Sequence, residues 1–135
     1  MTHLEEVKEI RSEKDGVHYN CAQAILMTYA DELGMTKEKA KDLGNFFGRG
    51  MLHGSSCGAL SAAFMILGIQ GYDKPEAAKI LTEFKKKHSS TECIDLIQEA
   101  KRLGIVKREH CDQLIFEMTE VVDQMLKKQK EENEE

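Results

Sequence analysis

The stretch that decides the fold is Cys57–Ile69, CGALSAAFMILGI. Its residues are apolar or small all round a helix, which is typical of a helix buried inside a protein. The run is too short to span a bilayer, so it predicts a core helix rather than a membrane span. Gly58, Ala59, Ala62 and Ala63 would let neighbouring helices approach closely. The sequence therefore predicts an all-α domain around this buried central helix, which opens at Ser55 or Ser56.

Apolar residues recur at helical spacing along the rest of the chain, and strand signals are weak. Asp73 and Glu76 form a predicted capping box, and Ser89 and Glu92 form another. We expect residues 1–135 to form one compact domain of six or seven helices, ending in a polar tail, residues 127–135, that frays. The other predicted helices cover residues 2–14, Asn20 to Leu33, Thr36 to Phe47, Asp73 to His88, Ser89 to Gly104, and Lys107 onward.

The composition excludes several classes of protein. The chain carries a net charge of −5 and no clustered basic stripe, which argues against a nucleic-acid partner. The first residues are charged and lack the apolar core of a signal peptide. We therefore expect a cytoplasmic protein without membrane insertion. Because the cytoplasm is reducing, the four cysteines predict redox chemistry, metal binding or core packing rather than structural disulfides.

Each cysteine falls near the start of a predicted helix. Cys21 follows the N-cap residue Asn20, Cys57 follows two serines, and Cys93 and Cys111 lie about one turn into their helices. The partial positive charge of a helix N-terminus stabilises a thiolate, whereas burial raises the thiol pKa. No CxxC pair occurs, so any shared site must be assembled by tertiary folding.

Four segments of the chain together resemble a known family. They are NCAQAIL, GRGMLHGSSCGALSAAFMILGI, ECIDLI and HCDQLI, all within residues 17–125. The ordered set is similar to the bacterial and archaeal C_GCAxxG_C_C family, whose members are described as redox-active proteins with four characteristic cysteines. The resemblance implies that Cys21, Cys57, Cys93 and Cys111 take those four positions. Ala62 stands where the family pattern has its last glycine, which bears on close backbone approach there and not on the thiol.

The leading hypothesis is a cytoplasmic thiol-redox protein that requires no cofactor. Cys57 is the predicted low-pKa nucleophile, because it lies between a glycine-rich loop and the central helix. Cys93 and Cys111 are the predicted resolving pair, and Cys21 completes the catalytic set. The partner would be a redox protein or a small-molecule oxidant. Whether this oxidoreductase-like chemistry makes the chain an enzyme stays open.

Two other functions remain open at this stage. The same four thiols, Cys21, Cys57, Cys93 and Cys111, could hold zinc or an iron–sulfur cluster, with His53 as a further ligand. Alternatively, the chain is a non-catalytic helical binding module whose cysteines are core residues. Homo-oligomerisation would offer one way to cover a helix that is apolar on all sides.

Two features near the cysteines, a glycine-rich loop and two histidines, can each be interpreted as structural or as functional. The loop GRGMLHGSS could hold an anion at the start of the central helix, although a tight connection is the favoured reading. His18 and His110 lie close in sequence to Cys21 and Cys111. Because His110 is adjacent to its cysteine on a helix, the two side chains should point in different directions.

Overall fold

The computed structural model describes residues 1–133, and this part of the chain is all-α, as the sequence predicts. It contains eight α-helices and one five-residue π turn, with no strand. None of the helices in residues 1–133 is both long and apolar enough to cross a bilayer. In chain order the elements are α1 (His3–Arg11), α2 (Cys21–Thr28), α3 (Ala30–Leu33), α4 (Lys37–Leu43), the π turn (Gly50–Gly54), α5 (Gly58–Ile69), α6 (Lys74–His88), α7 (Cys93–Arg102) and α8 (Lys107–Asn133).

Several helix ends follow from their capping residues. The side chain of Asn20 accepts a hydrogen bond from the backbone N–H of Gln23 at 2.8 Å, and the Gln23 side chain accepts in return from the Asn20 N–H at 3.0 Å. Asp73 and Glu76 form the predicted capping box at the start of α6. Each cap satisfies amide groups that the first helical turn leaves unpaired. The caps therefore fix where α2 and α6 begin.

The predicted helix from Asn20 to Leu33 is interrupted at Tyr29, which adds one helix to the expected number. Tyr29 has φ −102° and ψ 22°, outside the helical region. Its fully buried side chain donates from the hydroxyl to the carbonyl of Thr119 at 2.9 Å and to Asp123 at 2.6 Å. These bonds to α8 accompany the break between α2 and α3. The local sequence contains no signal for them.

Several further boundaries differ from the prediction. The first helix ends at Arg11 instead of residue 14, and α4 ends at Leu43 instead of Phe47. Ser89 ends α6 with φ 69°, in the left-handed region, and does not cap α7. The cap of α7 is Glu92, so Cys93 is the first residue of that helix. Residues 127–133, which we expected to fray, continue α8, and the side chain of Gln129 donates to the carbonyl of Gln70 at 2.8 Å. The rest of the predicted tail, residues 134–135, lies outside the described residues.

The most completely buried helix is α2, in which every residue from Ala22 to Thr28 is buried. It packs against α4, α5, α1 and α8. The central position predicted for α5 is not confirmed, since Phe64 and Met65 on that helix are half-buried and Ile69 is 62% exposed. Small residues do bring α5 close to its neighbours, as expected. Ala62 is fully buried.

Candidate functional site

All four cysteines lie at or near helix N-termini, as the sequence predicts. Cys21 and Cys93 are the first residues of α2 and α7, and Cys111 lies in the second turn of α8. Cys57 is itself the N-cap residue of α5. Ser55 and Ser56 therefore do not cap this helix, contrary to the prediction. All four are free thiols.

A short backbone pairing brings the start of α5 to the start of α7. The N–H of Cys57 donates to the carbonyl of Thr91 at 2.8 Å, and the N–H of Cys93 donates to the carbonyl of Ser55 at 2.6 Å. This is an isolated antiparallel bridge centred on Ser56 and Glu92. Cys57 and Cys93 are diagonal neighbours on one side of it, a relation that places residues about 7–8 Å apart in a regular pair.

A close helix contact brings Cys57 next to Cys21. Gly58 lies so near to the preceding loop and to α2 that a Cβ added there would be 2.7 Å from the carbonyl oxygen of Phe47 and 3.4 Å from the Cβ of Cys21. A side chain at position 58 would therefore separate the two helices. This close approach, together with the bridge to α7, connects three of the four cysteines through backbone packing.

The buried side chain of Arg11 connects the fourth cysteine to the others. Its Nε donates to Asp112 at 2.6 Å, and its Nη1 donates to the carbonyl of Tyr19 at 2.7 Å. Asp112 follows Cys111 on α8, and Tyr19 lies two residues before Cys21. One guanidinium group thus holds the start of α2 against α8. As a result, the thiols of Cys21 and Cys111 lie close enough to shift each other's pKa.

A cavity of about 290 Å³ opens beside this cluster. Cys21, Cys93 and Cys111 line it, whereas Cys57 is not part of the lining and is only 4% exposed. The remaining lining is strongly cationic and includes no carboxylate. Its charged residues are Arg11, Arg49, Lys107 and Arg108.

The thiol of Cys111 has the lowest pKa of the four cysteines. Its hydrogen bond with Cys21 is the largest cause, and the positive charges of Arg11 and Lys107 act in the same direction against the effect of burial, so the pKa is lowered to about 7. A thiol with this pKa is substantially ionised at neutral pH, and the thiolate is the nucleophilic form.

The pKa of Cys21 moves in the opposite direction. It is raised well above the usual value, first by the hydrogen bond to Cys111 and then by burial. The two sulfurs therefore share a proton: the first proton leaves the pair readily and the second does so with difficulty. We assign the thiolate to Cys111, because Lys107 favours a negative charge on Cys111 and does not act on Cys21.

The predicted low pKa of Cys57 is wrong. Burial raises the pKa of this thiol to about 11, although the backbone N–H groups of Leu60 and Ala59 at the helix start act to lower it. The helix N-terminus is thus present as expected, but desolvation outweighs it. Burial is also the main reason why the pKa of Cys93 is raised.

The histidines lie mostly away from the cysteines. His53 is exposed in the π turn and does not line the cavity. His18 does line it, and its ring forms a 2.8 Å hydrogen bond with Glu13. His110 points into a different cavity beside His88, as its position next to Cys111 on α8 predicts. Of the three, only His18 accompanies the thiols.

Nothing in the described residues resembles a metal centre. Across residues 1–133, no group of three or more His, Cys, Asp or Glu side chains is arranged to hold a metal ion. The zinc or iron–sulfur alternative with Cys21, Cys57, Cys93, Cys111 and His53 therefore receives no support from this geometry.

The match to a protein family covers all four cysteines. The model of the family described as "Putative redox-active protein (C_GCAxxG_C_C)" matches residues 19–125. The chain belongs to this family. No curated protein and no solved structure matches the chain. Cys57, one of the four cysteines covered by this match, and the tightly packed Gly58 stand at the point where α5 meets α2.

Sequence reasoning missed the cations around the C_GCAxxG_C_C cysteines. Arg11 is 4% exposed and follows Leu4 and Val7 at positions i, i+3 and i+7 of the apolar stripe on α1. An arginine in an apolar stripe is a signal for a buried, hydrogen-bonded charge. Lys107 lies four residues before Cys111 on α8, a spacing that places both residues on one face of a helix and is readable from the sequence. Arg49 leaves no comparable pattern, because it is exposed and reaches the cavity from another segment.

Proposed function

We propose that this chain is a cytoplasmic thiol-redox protein in which Cys111 is the nucleophile and Cys21 the resolving cysteine. In support of it, both thiols line one cavity, and their interaction lowers the pKa of Cys111 and raises that of Cys21. A thiol whose pKa lies near the ambient pH combines a large thiolate fraction with good nucleophilicity. The proposal departs from the sequence-based assignment of Cys57 as nucleophile and of Cys93 with Cys111 as the resolving pair.

The reaction is thiol–disulfide exchange with a disulfide substrate. The Cys111 thiolate attacks one sulfur of the substrate, whose S–S bond breaks and releases the first thiolate product. Cys21 then attacks the sulfur of Cys111 in the mixed disulfide, which releases the second thiolate. The proton of Cys21 passes to a departing thiolate, and the protein ends with a Cys21–Cys111 disulfide. The substrate disulfide is reduced to two thiols by the two electrons of the protein dithiol.

Cys57 and Cys93 form a second pair behind the first. Cys93 lines the same cavity, and Cys57, which is not part of the lining, has its pKa raised by burial, so it stays a protonated thiol at neutral pH. We expect this pair to react after the first, by exchange with the Cys21–Cys111 disulfide. A reducing compartment is the proposed location, because the site depends on free thiols.

The test is disulfide mapping in the wild-type protein. The reduced protein is treated at pH 7 with a limiting amount of bis(2-hydroxyethyl) disulfide, remaining thiols are alkylated, and cross-linked peptides are identified by mass spectrometry. A Cys21–Cys111 disulfide should form first. The Cys21→Ser variant should instead accumulate a mixed disulfide on Cys111, whereas Cys57→Ala should still form the Cys21–Cys111 bond.

Two results would refute this proposal. One is that all four cysteines stay reduced in the folded protein while the same disulfide oxidises them in urea. The other is stoichiometric zinc or iron in anaerobically purified protein, with the thiols reacting only after its removal. Circular dichroism of each variant confirms that the reactivity is measured on folded protein.

A further inference from the structure

We infer that the cavity beside Cys111 selects small disulfides that carry negative charge, such as those with carboxylate groups. This inference rests on the proposed thiol-redox function and names the class of substrate. The observation behind it is a cavity lined by three thiols and four cationic side chains, with no carboxylate among the residues that line it.

Two of the four cations already have acidic partners. Arg11 is paired with Asp112 at 2.6 Å, and Arg108 lies 3.1 Å from Glu13. These two side chains are held in place, and much of their charge is balanced locally. Arg11 and Arg108 are therefore the cavity-lining cations whose side chains are held by ion pairs.

The other two cations, Arg49 and Lys107, have no carboxylate within 4.0 Å among residues 1–133. Both are close enough to the sulfurs to lower thiol pKa values: Arg49 acts on Cys93, and Lys107 acts on Cys93 and Cys111. Lys107 therefore lies near the reacting sulfur of Cys111, and Arg49 lies near Cys93 in the same cavity, both without a counter-charge. An anionic group on the substrate would supply one.

The size and shape of the cavity favour a small substrate. Its volume of about 290 Å³ lies at the lower end of the range for small-molecule sites. The N-termini of α2 and α7 open onto it, since Cys21 and Cys93 are the first residues of those helices. Backbone N–H groups there add to the positive potential of the side chains. The site therefore combines a nucleophile with attraction for an anion at short range.

The same positive charges favour the chemistry as well as the binding. Attack by the Cys111 thiolate on a dianionic disulfide brings three negative charges together. Unbalanced cations at the point of attack offset this repulsion, and they stabilise the anionic thiolate that leaves. Attack on a neutral disulfide involves less charge repulsion, so the cations accelerate it less. A cationic disulfide would be repelled from the cavity.

The test compares three disulfides of similar size and different charge. These are 3,3′-dithiodipropionate, which is dianionic, bis(2-hydroxyethyl) disulfide, which is neutral, and cystamine, which is dicationic. The rate of Cys111 modification is measured at pH 7 and low salt. We expect the order dianionic, neutral, dicationic, and we expect the ratio of the dianionic to the neutral rate to shrink as salt screens the charges.

Substitution of one cation at a time tests which residues cause the preference for the dianionic disulfide. Arg49→Gln should lower the ratio of dianionic to neutral rate about threefold, the effect of removing one nearby charge in a partly solvated site. Lys107→Gln should lower it similarly. The matched control is Lys85→Gln, an exposed lysine on α6 outside the cavity, which should leave the ratio unchanged.

The outcomes separate this inference from the function on which it rests. If all three disulfides oxidise Cys111 and Cys21 at rates that follow only their intrinsic reactivity with a free thiol, the anionic preference is refuted and the thiol-redox function stands. An unchanged ratio in both Arg49→Gln and Lys107→Gln also refutes it. If none of the three disulfides reacts with the folded protein, both proposals fail.

Discussion

Nε of Arg11 donates a hydrogen bond to Asp112 at 2.6 Å, directly beside the most acidic thiol of the protein. The same guanidinium donates to the carbonyl of Tyr19, just ahead of Cys21. One buried side chain from α1 thus holds α8 and the start of α2 in the arrangement in which Cys111 meets Cys21. It also supplies positive charge to the pair.

Replacing Arg11 should affect both stability and acidity. Arg11→Met leaves a partly buried carboxylate and a backbone carbonyl without their donor, so we expect a loss of about 2–3 kcal/mol in the free energy of unfolding. The pKa of Cys111 should rise, because a positive charge is removed. Arg11→Lys keeps the charge but cannot reproduce both hydrogen bonds, so it should lose stability with a smaller change in pKa.

Urea unfolding and the pH dependence of Cys111 alkylation measure the two effects. Arg102→Met is the control, since Arg102 pairs with Glu99 on the exposed side of α7 and such pairs contribute at most about 1 kcal/mol. Equal losses in the two methionine variants would contradict the role assigned to Arg11.

The reactivity of Cys111 should depend on pH near neutrality. Only the thiolate reacts with iodoacetamide, and the lowered pKa of Cys111 is about 7, so its alkylation rate should rise with pH and reach half its maximum near that value. Cys93, whose pKa is raised, should react appreciably only under more alkaline conditions. Quantitative mass spectrometry of the cysteine peptides follows each residue separately.

Removal of the Cys21 thiol identifies the source of this acidity. In Cys21→Ala the hydrogen-bond donor is lost, so the midpoint for Cys111 should move to higher pH. Cys93→Ala should leave the midpoint close to 7, because Cys93 is not among the groups that shift the pKa of Cys111. A midpoint that stays the same in Cys21→Ala would show that the cations alone cause the shift.

Two glycines of α5 should respond in opposite ways to alanine. In Gly58→Ala the new methyl group would lie 2.7 Å from the Phe47 carbonyl oxygen, so we expect a loss of about 1–3 kcal/mol as the helices shift apart. Gly68→Ala meets nothing within 4 Å and should gain about 0.5–1 kcal/mol from helix propensity.

The Gly58→Ala variant should also disturb the thiol pair, because its methyl group contacts Cys21. Thermal unfolding gives the stability of both variants, and the midpoint of Cys111 alkylation reports on the site. A stable Gly58→Ala protein with an unchanged midpoint would mean that the close approach of α5 to α2 does not position the cysteines.

The loop before α5 contains consecutive strained residues. Met51 has φ 56° and Leu52 has φ 69°, a left-handed conformation that costs a non-glycine residue about 1 kcal/mol. Both side chains are more than half exposed, so little packing is lost on truncation. Glycine relieves this strain but adds entropy to the unfolded chain, so we expect Leu52→Gly to be about as stable as the wild type and about 1 kcal/mol more stable than His53→Gly.

His53→Gly is the matched control for the strained loop. His53 is exposed in the same turn but has φ −133°, so glycine offers it no relief and should slightly destabilise the protein through the added entropy of the unfolded chain. Thermal and urea unfolding measure the free energy of unfolding of both variants. A loss of stability in Leu52→Gly would indicate that its side chain makes a contribution larger than the backbone strain.

The sequence predicted the parts of the fold that depend on local signals. Asn20 and Asp73 are N-cap residues, as expected, Glu76 is the predicted capping-box partner of Asp73, and Gly34 ends α3 with φ 70°. The break at Tyr29 was not predictable in this way, because the hydroxyl of Tyr29 bonds to residues on α8 that are about ninety positions away in the chain. The same limit applies to Ser89, which resembles an N-cap residue but ends α6.

For the site, the sequence by itself determined the four cysteines, their place at helix starts and the family to which they belong. Tertiary structure alone decided which thiol is acidic. A helix N-terminus favours the thiolate at Cys57, but burial in the core outweighs it. At Cys111 the thiol of Cys21 and the charge of Arg11, both from other helices, act together with Lys107 on the same helix and outweigh burial. The reason is physical: cap and propensity act over a few residues, while desolvation and charge depend on whatever folding brings within a few ångströms.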